Sequence, residues 1–179
     1  LILFVFVAGH LLNHILGLHS LAAMEAGRDW FILIWRNSVG AALLMGSLTA
    51  HLLLAGWALY SRRSLKMSGG EATQIIFGFS IPLLLAGHII GTGAGHNLFE
   101  TNDNYTYVLL SQWKYLDTAV YLQSAGLFAA WAHGCIGLYY WLRLKSWFKT
   151  LAPGLFAIAV LMPVASWLGF YIAGKEVLA

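Results

Sequence analysis

The stretch from Trp131 to Phe148, WAHGCIGLYYWLRLKSWF, decides how this sequence is interpreted. It places one histidine, His133, in an apolar helix about two and a half turns before a basic and aromatic exit. The basic residues of that exit are Arg143, Lys145 and Lys149. An ionisable ring is costly to bury in lipid, so its presence at this depth indicates a functional site. Three other apolar segments carry a histidine in a comparable setting.

The composition predicts a polytopic membrane protein. Of the 179 residues, 60% are hydrophobic and only 9% are charged, and the mean hydropathy is +0.74. The basic residues cluster beside the ends of apolar segments, which is typical of cytoplasmic loops and argues against a nucleic-acid partner. The single cysteine, Cys135, excludes an internal disulfide, and no Cys-x-x-Cys-His motif occurs. Any haem bound here is therefore expected to be held without covalent links.

We predict an all-α transmembrane bundle with five spans in a single domain, residues 1–179. A span needs about 20 apolar residues to cross roughly 30 Å of hydrocarbon. The candidate segments cover residues 1–19, 31–60, 73–93, part of 105–143, and 152–173. The fourth region is too long for one span, and its start, YTYVLLSQWKYLD, has the aromatic content of a membrane interface. It predicts a separate short interfacial helix near residues 105–113.

The loop charges predict the orientation. The segments after the second and fourth predicted spans are basic, so we expect them, and the N-terminus, to be cytoplasmic in a bacterial inner membrane. Five spans then place Ala179 outside, and a cytoplasmic domain beyond it would require a sixth helix.

Depth sorts the seven histidines into levels. His51 and His133 each lie about 15 Å before the first arginine that follows them, and so at matching depth. His88 precedes a glycine-rich segment, while His10 and His14 lie in the outer half of the first span. A six-coordinate haem needs an imidazole on each face of the iron. We therefore predict two haems b, with His51 and His133 on the inner iron and His88 with either His10 or His14 on the outer iron.

The neighbouring residues favour His10 over His14 as the outer ligand. A small residue, which leaves room for a porphyrin edge, precedes four of the histidines: Gly9-His10, Ala50-His51, Gly87-His88 and Ala132-His133. We expect His14 to lie at the haem periphery or near a propionate. His19 and His96 are expected at the outer surface, where His96 is also a candidate contact of haem or quinone. For each histidine alone, the competing interpretation is a hydrogen bond between helices.

Arg36 is a further candidate site residue. It lies about one and a half turns into the second predicted span, where an unpaired guanidinium would be costly. A haem propionate would be a suitable bidentate partner. The alternative is that Arg36 extends to the lipid headgroups.

Four blocks of the sequence resemble a known family. The blocks AGHLL, TAHLLLAGWAL, LLAGHIIGT and AHGCIGLYYWLRLKSWF are similar to the dihaem cytochrome b membrane anchors of succinate dehydrogenases and fumarate reductases. In that family the first histidine helix pairs with the third, and the second pairs with the fourth. The resemblance implies the pairs His10 with His88 and His51 with His133.

A closer resemblance is to the six-helix dihaem membrane domain of bacterial class III adenylate cyclases. The respiratory anchors place a histidine-free helix between the second and third ligand helices, and residues 51–88 leave no room for it. The runs HLLNHILGLHSLAAMEAGRDW, GTGAGHNLFETNDNYTYVLL and LGFYIAGKEV carry the closer resemblance. It implies a redox or quinone sensor that anchors a cyclase, with a ferredoxin-like domain, a sixth helix and the cyclase domain beyond Ala179, working as a dimer.

Two other functions remain open at this point. One is a quinone-reactive electron-transfer subunit of a succinate dehydrogenase or fumarate reductase-like complex. The other is a histidine-lined metal or proton transporter, which predicts carboxylates within the membrane. Only Asp117 could lie within a span, with Glu71 at an inner end. No motif for cyclase chemistry occurs in these residues, so we expect no catalytic residue in this chain.

Overall fold

The computed structural model describes residues 1–64, 66–116 and 118–179, and all the regular structure in these ranges is helical. The α-helices are α1 (Ile2–Ile15), α2 (Leu21–Trp35), α3 (Ser38–Tyr60), α4 (Gly69–Ile89), α5 (Gly95–Phe99), α6 (Tyr105–Leu110), α7 (Ala119–Leu142) and α8 (Phe148–Glu176). A 3-10 turn, Leu16–Leu18, follows α1, and π-helical turns follow α4 (Ile90–Ala94) and α6 (Ser111–Tyr115).

Among the described residues, three helices are long and apolar enough to cross a membrane, which indicates a membrane protein. They cover Ser38–Tyr60, Gly69–Phe99 and Phe148–Glu176, and they correspond to the second, third and fifth predicted spans. The first predicted span corresponds to a shorter apolar helix, Ile2–Leu18. The helix α7 has 24 residues but is not among the three. A bundle of five spans therefore remains a prediction.

The second predicted span, residues 31–60, is wrong at its start because the chain breaks at Asn37. The Asn37 side chain accepts hydrogen bonds from the backbone N–H groups of Val39 and Gly40, at 3.0 and 2.9 Å. An asparagine that satisfies free N–H groups in this way starts a new helix. Arg36 consequently lies between α2 and α3, and not inside a helix as predicted.

The third predicted span is longer than expected. A capping box at Ser68 starts α4, with Glu71 as its reciprocal partner. The glycine-rich segment does not end this helix, because residues 90–94 form a π-helical turn that leads into α5. The run ends at Glu100, whose backbone is left-handed at φ 55°.

The short helix predicted near residues 105–113 is present and is separate from α7. Asn104 caps α6 by accepting a hydrogen bond from the N–H of Tyr107 at 2.8 Å. The π-helical turn then carries the helical segment on to Tyr115. Asp117, the carboxylate of the transporter hypothesis, lies outside the described residues.

The first and last helices pack closely, and α6 packs beside them. Gly17 and Gly169 let the backbones of α1 and α8 approach, because a Cβ atom at Gly169 would lie 3.0 Å from the His14 carbonyl carbon. Small residues at such crossings are typical of membrane helices. One buried cluster joins α2, α6 and α8: Met24, Tyr105, Leu109, Phe170 and Ala173. A second joins α1 and α7: Leu11, Leu127 and Trp131.

Candidate functional site: two pairs of histidines

The outer pair consists of His10 from α1 and His88 from α4. The centroids of the two imidazole rings are 5.9 Å apart. His10 also packs against the rings of Phe6 and Phe31, at 6.3 and 5.5 Å between centroids. This is the pair that the sequence predicts with His10, and not His14, opposite His88.

The inner pair consists of His51 from α3 and His133 from α7. Its ring centroids are also 5.9 Å apart. His133 donates a hydrogen bond from Nδ1 to the backbone carbonyl of Gln74 in α4, at 3.0 Å. That bond fixes the tautomer of the ring and leaves Nε2 without a proton, which is the form that binds a metal.

The spacing within both pairs suits a metal ion held between two imidazoles. An imidazole nitrogen binds a first-row metal at about 2.0–2.1 Å. With the ring centroid roughly 1 Å farther out, two rings on opposite sides of one metal would have centroids about 6 Å apart. Both pairs observed here are within a few tenths of an ångström of that separation.

The helices that carry each pair have little direct packing with each other. Along the described residues, α4 packs mainly on α7, while α3 packs on α1 and α2. Within the part of the chain that the structure describes, α1 and α4 form no extensive interface, and neither do α3 and α7. The histidines thus bridge helices that stand apart, as a flat macrocycle between two helices requires.

Unpaired polar atoms also fit a further bound group at the outer pair. The Nδ1 atoms of His88 and His14 are buried and have no hydrogen-bond partner among the described residues. Buried polar atoms are normally satisfied, so this cluster has capacity for a further group.

Among the described residues, no group of three or more His, Cys, Asp or Glu side chains could hold a metal ion. A haem needs only two axial side chains, since its macrocycle supplies the other ligands.

His14 lies beside the outer pair. Its ring centroid is 4.6 Å from that of His10, and its side chain is almost fully buried. It stacks on Phe170 at 5.6 Å and meets the edge of Tyr105 at 5.6 Å. This position is consistent with the predicted role at the haem periphery.

Arg36 has a protein partner that sequence reasoning missed. Asp103 accepts hydrogen bonds from Arg36 and also from Arg28, whose Nη2 lies 2.8 Å from Oδ1. The Asp103 side chain is only 3% exposed. Burial raises its pKa, but the hydrogen bonds and charges of Arg36 and Arg28 outweigh burial and hold the pKa below its ordinary value. Arg36 is therefore not an unpaired cation, and the three groups together carry one positive charge.

The three charged groups line an open cavity of about 790 Å³, which Asp29 and Glu100 also line. His96 also lines it, with Nδ1 3.2 Å from the carbonyl of Thr101 and 3.7 Å from Asp103. The side chains of His19 and His96 are both exposed, and their position at the outer surface remains a prediction.

A smaller polar group lies where α3 ends, α4 begins and α7 ends. Glu71 accepts a hydrogen bond from Arg62 at 2.9 Å. Beside them is a cavity of about 500 Å³, lined by Ser68, Glu71, Tyr140 and Arg143. The guanidinium of Arg143 also lies 5.0 Å from the ring centroid of Tyr140.

The hydrogen bond between His133 and Gln74 could not be predicted from the sequence, because the acceptor is a backbone carbonyl, which every residue has. Asp103 could have been proposed as a partner of an arginine because it is an acidic residue in a loop. Its actual partners, Arg28 and Arg36, are distant along the chain, so the sequence did not identify them.

No family model matches this chain, and neither a curated protein nor a solved structure is significantly similar to it. The two histidine pairs therefore carry the functional argument. Their geometry allows each pair to bind a planar metal cofactor between two helices.

Proposed function

We propose that the chain is a dihaem b-binding membrane domain that acts as a redox or quinone sensor and anchors an adenylate cyclase. One observation carries the haem proposal: two separate histidine pairs have the same 5.9 Å ring separation, and each joins helices that stand apart. A chance contact between two histidines would not be expected to recur at both levels with the same spacing.

In this proposal His10 and His88 hold the outer haem, and His51 and His133 hold the inner haem. Each bound haem would supply one-electron redox chemistry. Arg36 and His14 remain the candidates for the propionates and periphery of the outer haem. Because Arg36 already binds Asp103, a propionate would join an existing network and would not have to neutralise a lone charge.

The sensor function rests on the family resemblance and on the physics of a buried charge. Reduction changes the charge on the iron by one unit in a low-dielectric site, which is energetically large. Helices bridged by the two histidine pairs are the natural elements to respond by repacking. We propose that this response is transmitted through the membrane helices to a cytoplasmic cyclase domain, with a ferredoxin-like domain and dimerisation as in the resembling family.

The alternative function is a quinone-reactive cytochrome b subunit of a succinate dehydrogenase or fumarate reductase-like complex. Two redox sites at different depths also suit electron transfer across the membrane, so the histidine pairs support either function. The reading frame beyond Ala179 distinguishes them. A cyclase domain there favours the sensor, whereas adjacent genes for flavoprotein and iron–sulfur subunits favour the electron-transfer subunit. Five spans and a cytoplasmic N-terminus in a bacterial inner membrane belong to both proposals.

Haem quantitation on the purified chain tests the proposal. The chain is produced with ample haem, and its pyridine haemochrome and reduced-minus-oxidised spectra are recorded beside those of His88→Ala and His133→Ala. We expect two haems b per chain, and the loss of one different haem in each variant. His19→Ala is the matched control, since His19 is exposed, and it should retain both haems.

A well-folded chain without haem would refute the proposal, and so would equal haem content in the two histidine variants and the control. The first outcome would favour the transporter hypothesis. The g values of the low-spin ferric electron paramagnetic resonance signals add a check on the axial ligands, because they report the ligand type and not the amount of haem.

A further inference from the structure

The positive charge of the chain is concentrated in two short segments. Residues 61–72 link α3 to α4 and include the first turn of α4, and residues 143–149 link α7 to α8. Six of the ten lysine and arginine residues lie there, but only one of the seven carboxylates, so the two segments have a net charge of +5 and the rest of the chain has −2. The charged residues of the two segments are Arg62, Arg63, Lys66, Glu71, Arg143, Lys145 and Lys149.

The two segments meet at the cavity of about 500 Å³. Ser68 and Glu71 line it from the start of α4, and Tyr140 and Arg143 line it from the end of α7. The two helices approach closely at this point, since a Cβ atom added at Gly70 would lie 2.5 Å from the Tyr140 hydroxyl oxygen. The walls of the cavity are therefore held by packed helices.

The only carboxylate of the cavity already has partners, whereas Arg143 is available to a ligand. Glu71 accepts hydrogen bonds from Arg62 and from the backbone N–H of Ser68, both at 2.9 Å. Arg143 forms no ion pair with a carboxylate among the described residues. Its guanidinium lies 5.0 Å from the ring centroid of Tyr140. Packing on an aromatic face leaves the N–H donors of a guanidinium free to bind an anion.

We propose that this cavity binds the phosphate of an anionic phospholipid from the cytoplasmic leaflet, with Arg143 as the main ligand. A guanidinium binds a phosphate through two parallel N–H bonds. Basic pockets between membrane helices on the cytoplasmic side are suited to anionic headgroups, and the surrounding positive charge attracts them. Both basic segments are cytoplasmic in the predicted orientation. Lipid binding at this cavity does not require bound haem.

The apolar and aromatic surroundings favour a lipid over a soluble anion. Trp141 is exposed, and the Lys145 ammonium lies 5.5 Å from its ring centroid. Tryptophan and basic side chains together are typical of the headgroup level of a membrane. Beyond the cavity, Ile76, Phe79 and Leu83 are exposed along α4 at the spacing of one helix face. They offer an apolar surface to the acyl chains of a bound lipid.

Native mass spectrometry of the purified chain in a neutral detergent tests the proposal, with titrations of dioleoyl phosphatidylglycerol and of dioleoyl phosphatidylcholine. We expect one phosphatidylglycerol to bind about tenfold or more tightly than phosphatidylcholine. Arg143→Gln should weaken this binding by about 10- to 100-fold, because a charge-assisted bidentate pair is lost. Arg63→Gln is the matched control. It removes the same charge at an exposed residue that does not line the cavity, so the loss should be no more than about fivefold.

A second pair of variants tests the shape of the cavity at constant charge. Gly70→Ala must displace the Tyr140 hydroxyl, and it should weaken the binding of phosphatidylglycerol. Gly69→Ala has no atom within 4 Å of the added Cβ and should bind like the parent chain. A diffuse electrostatic attraction would leave both variants unchanged, since neither alters a charge.

Equal losses in Arg143→Gln and Arg63→Gln would overturn the proposal, as would equal affinities for the two lipids. Displacement of the lipid by inorganic phosphate at an equal concentration would also overturn it, because the cavity would then be a site for a soluble anion. Haem is quantified in the same samples. Loss of a haem in Arg143→Gln with unchanged lipid binding would assign the cavity to a haem propionate. A chain that binds phosphatidylglycerol as expected but no haem would refute the proposed function and support the lipid site.

Discussion

Replacing Gly169 with alanine should separate the first and last helices and weaken the outer histidine pair. A Cβ atom at this position would overlap the carbonyl oxygen of His14 and lie 3.3 Å from the Cα atom of Ile15. These are backbone atoms of α1, so no side-chain rotation can relieve the contact. The two helices must move apart, and the packing of His14 on Phe170 must loosen.

The magnitude follows from two opposing contributions. Overpacking of a tight contact typically costs about 1–3 kcal/mol, and a backbone contact belongs at the upper end of that range. Glycine to alanine inside a helix gains about 1 kcal/mol. Gly154→Ala in the same helix has no atom within 4 Å of the added Cβ, so it reports the gain alone. We expect Gly169→Ala to be less stable than Gly154→Ala by about 2–3 kcal/mol.

The assay is reversible or rate-based unfolding of both variants in the same detergent, followed by circular dichroism. For a chain of this length, 2 kcal/mol corresponds to roughly 4–8 °C in midpoint temperature. The spectrum of the proposed outer haem should broaden or weaken in Gly169→Ala only. Equal stability of the two variants would refute the close backbone crossing of α1 and α8.

Two further changes test the polar contacts around the outer pair. Asp103→Asn should destabilise the chain by about 2 kcal/mol near neutral pH, because it removes the carboxylate that Arg28 and Arg36 share. Both arginines are partly exposed, so water limits the cost. The folded pKa of Asp103 is held below its ordinary value of 3.8, so its stabilisation is complete above that pH and is lost as the pH falls through the folded value; acid titrations of unfolding should show this loss in the parent chain and not in Asp103→Asn. Tyr105→Phe removes the hydroxyl that accepts a hydrogen bond from Asn13 at 2.8 Å, and should cost about 1 kcal/mol in the same unfolding assay. An unchanged midpoint in Tyr105→Phe would contradict a net contribution from that buried bond.

Local composition was enough to predict the membrane class and most helices. Apolar runs of sufficient length are visible in any window, which is why Ser38–Tyr60, Gly69–Phe99 and Phe148–Glu176 match predicted spans. Capping by Asn37 is also local, and its position could have revealed the break before α3. The π-helical turn at residues 90–94 could not be predicted, because glycine-rich segments more often end a helix.

Both histidine pairs were predicted from the depth of each histidine along its span, because residues at the same depth on different helices can meet. It left His10 and His14 as alternatives, since both lie on one helix in the outer half. Tertiary structure decided that His10 faces His88 at 5.9 Å while His14 packs on Phe170.

Sequence by itself determined the apolar helices and the depth of the histidines, because both depend on residues that are neighbours along the chain. Only the tertiary structure decided which groups meet across large separations: Arg36 with Asp103, and His133 with the carbonyl of Gln74. The physical reason is that helix rotation and packing, set by the whole bundle, determine where a side chain points. In addition, a backbone carbonyl is present in every residue, so the residue type does not reveal which carbonyl accepts the hydrogen bond.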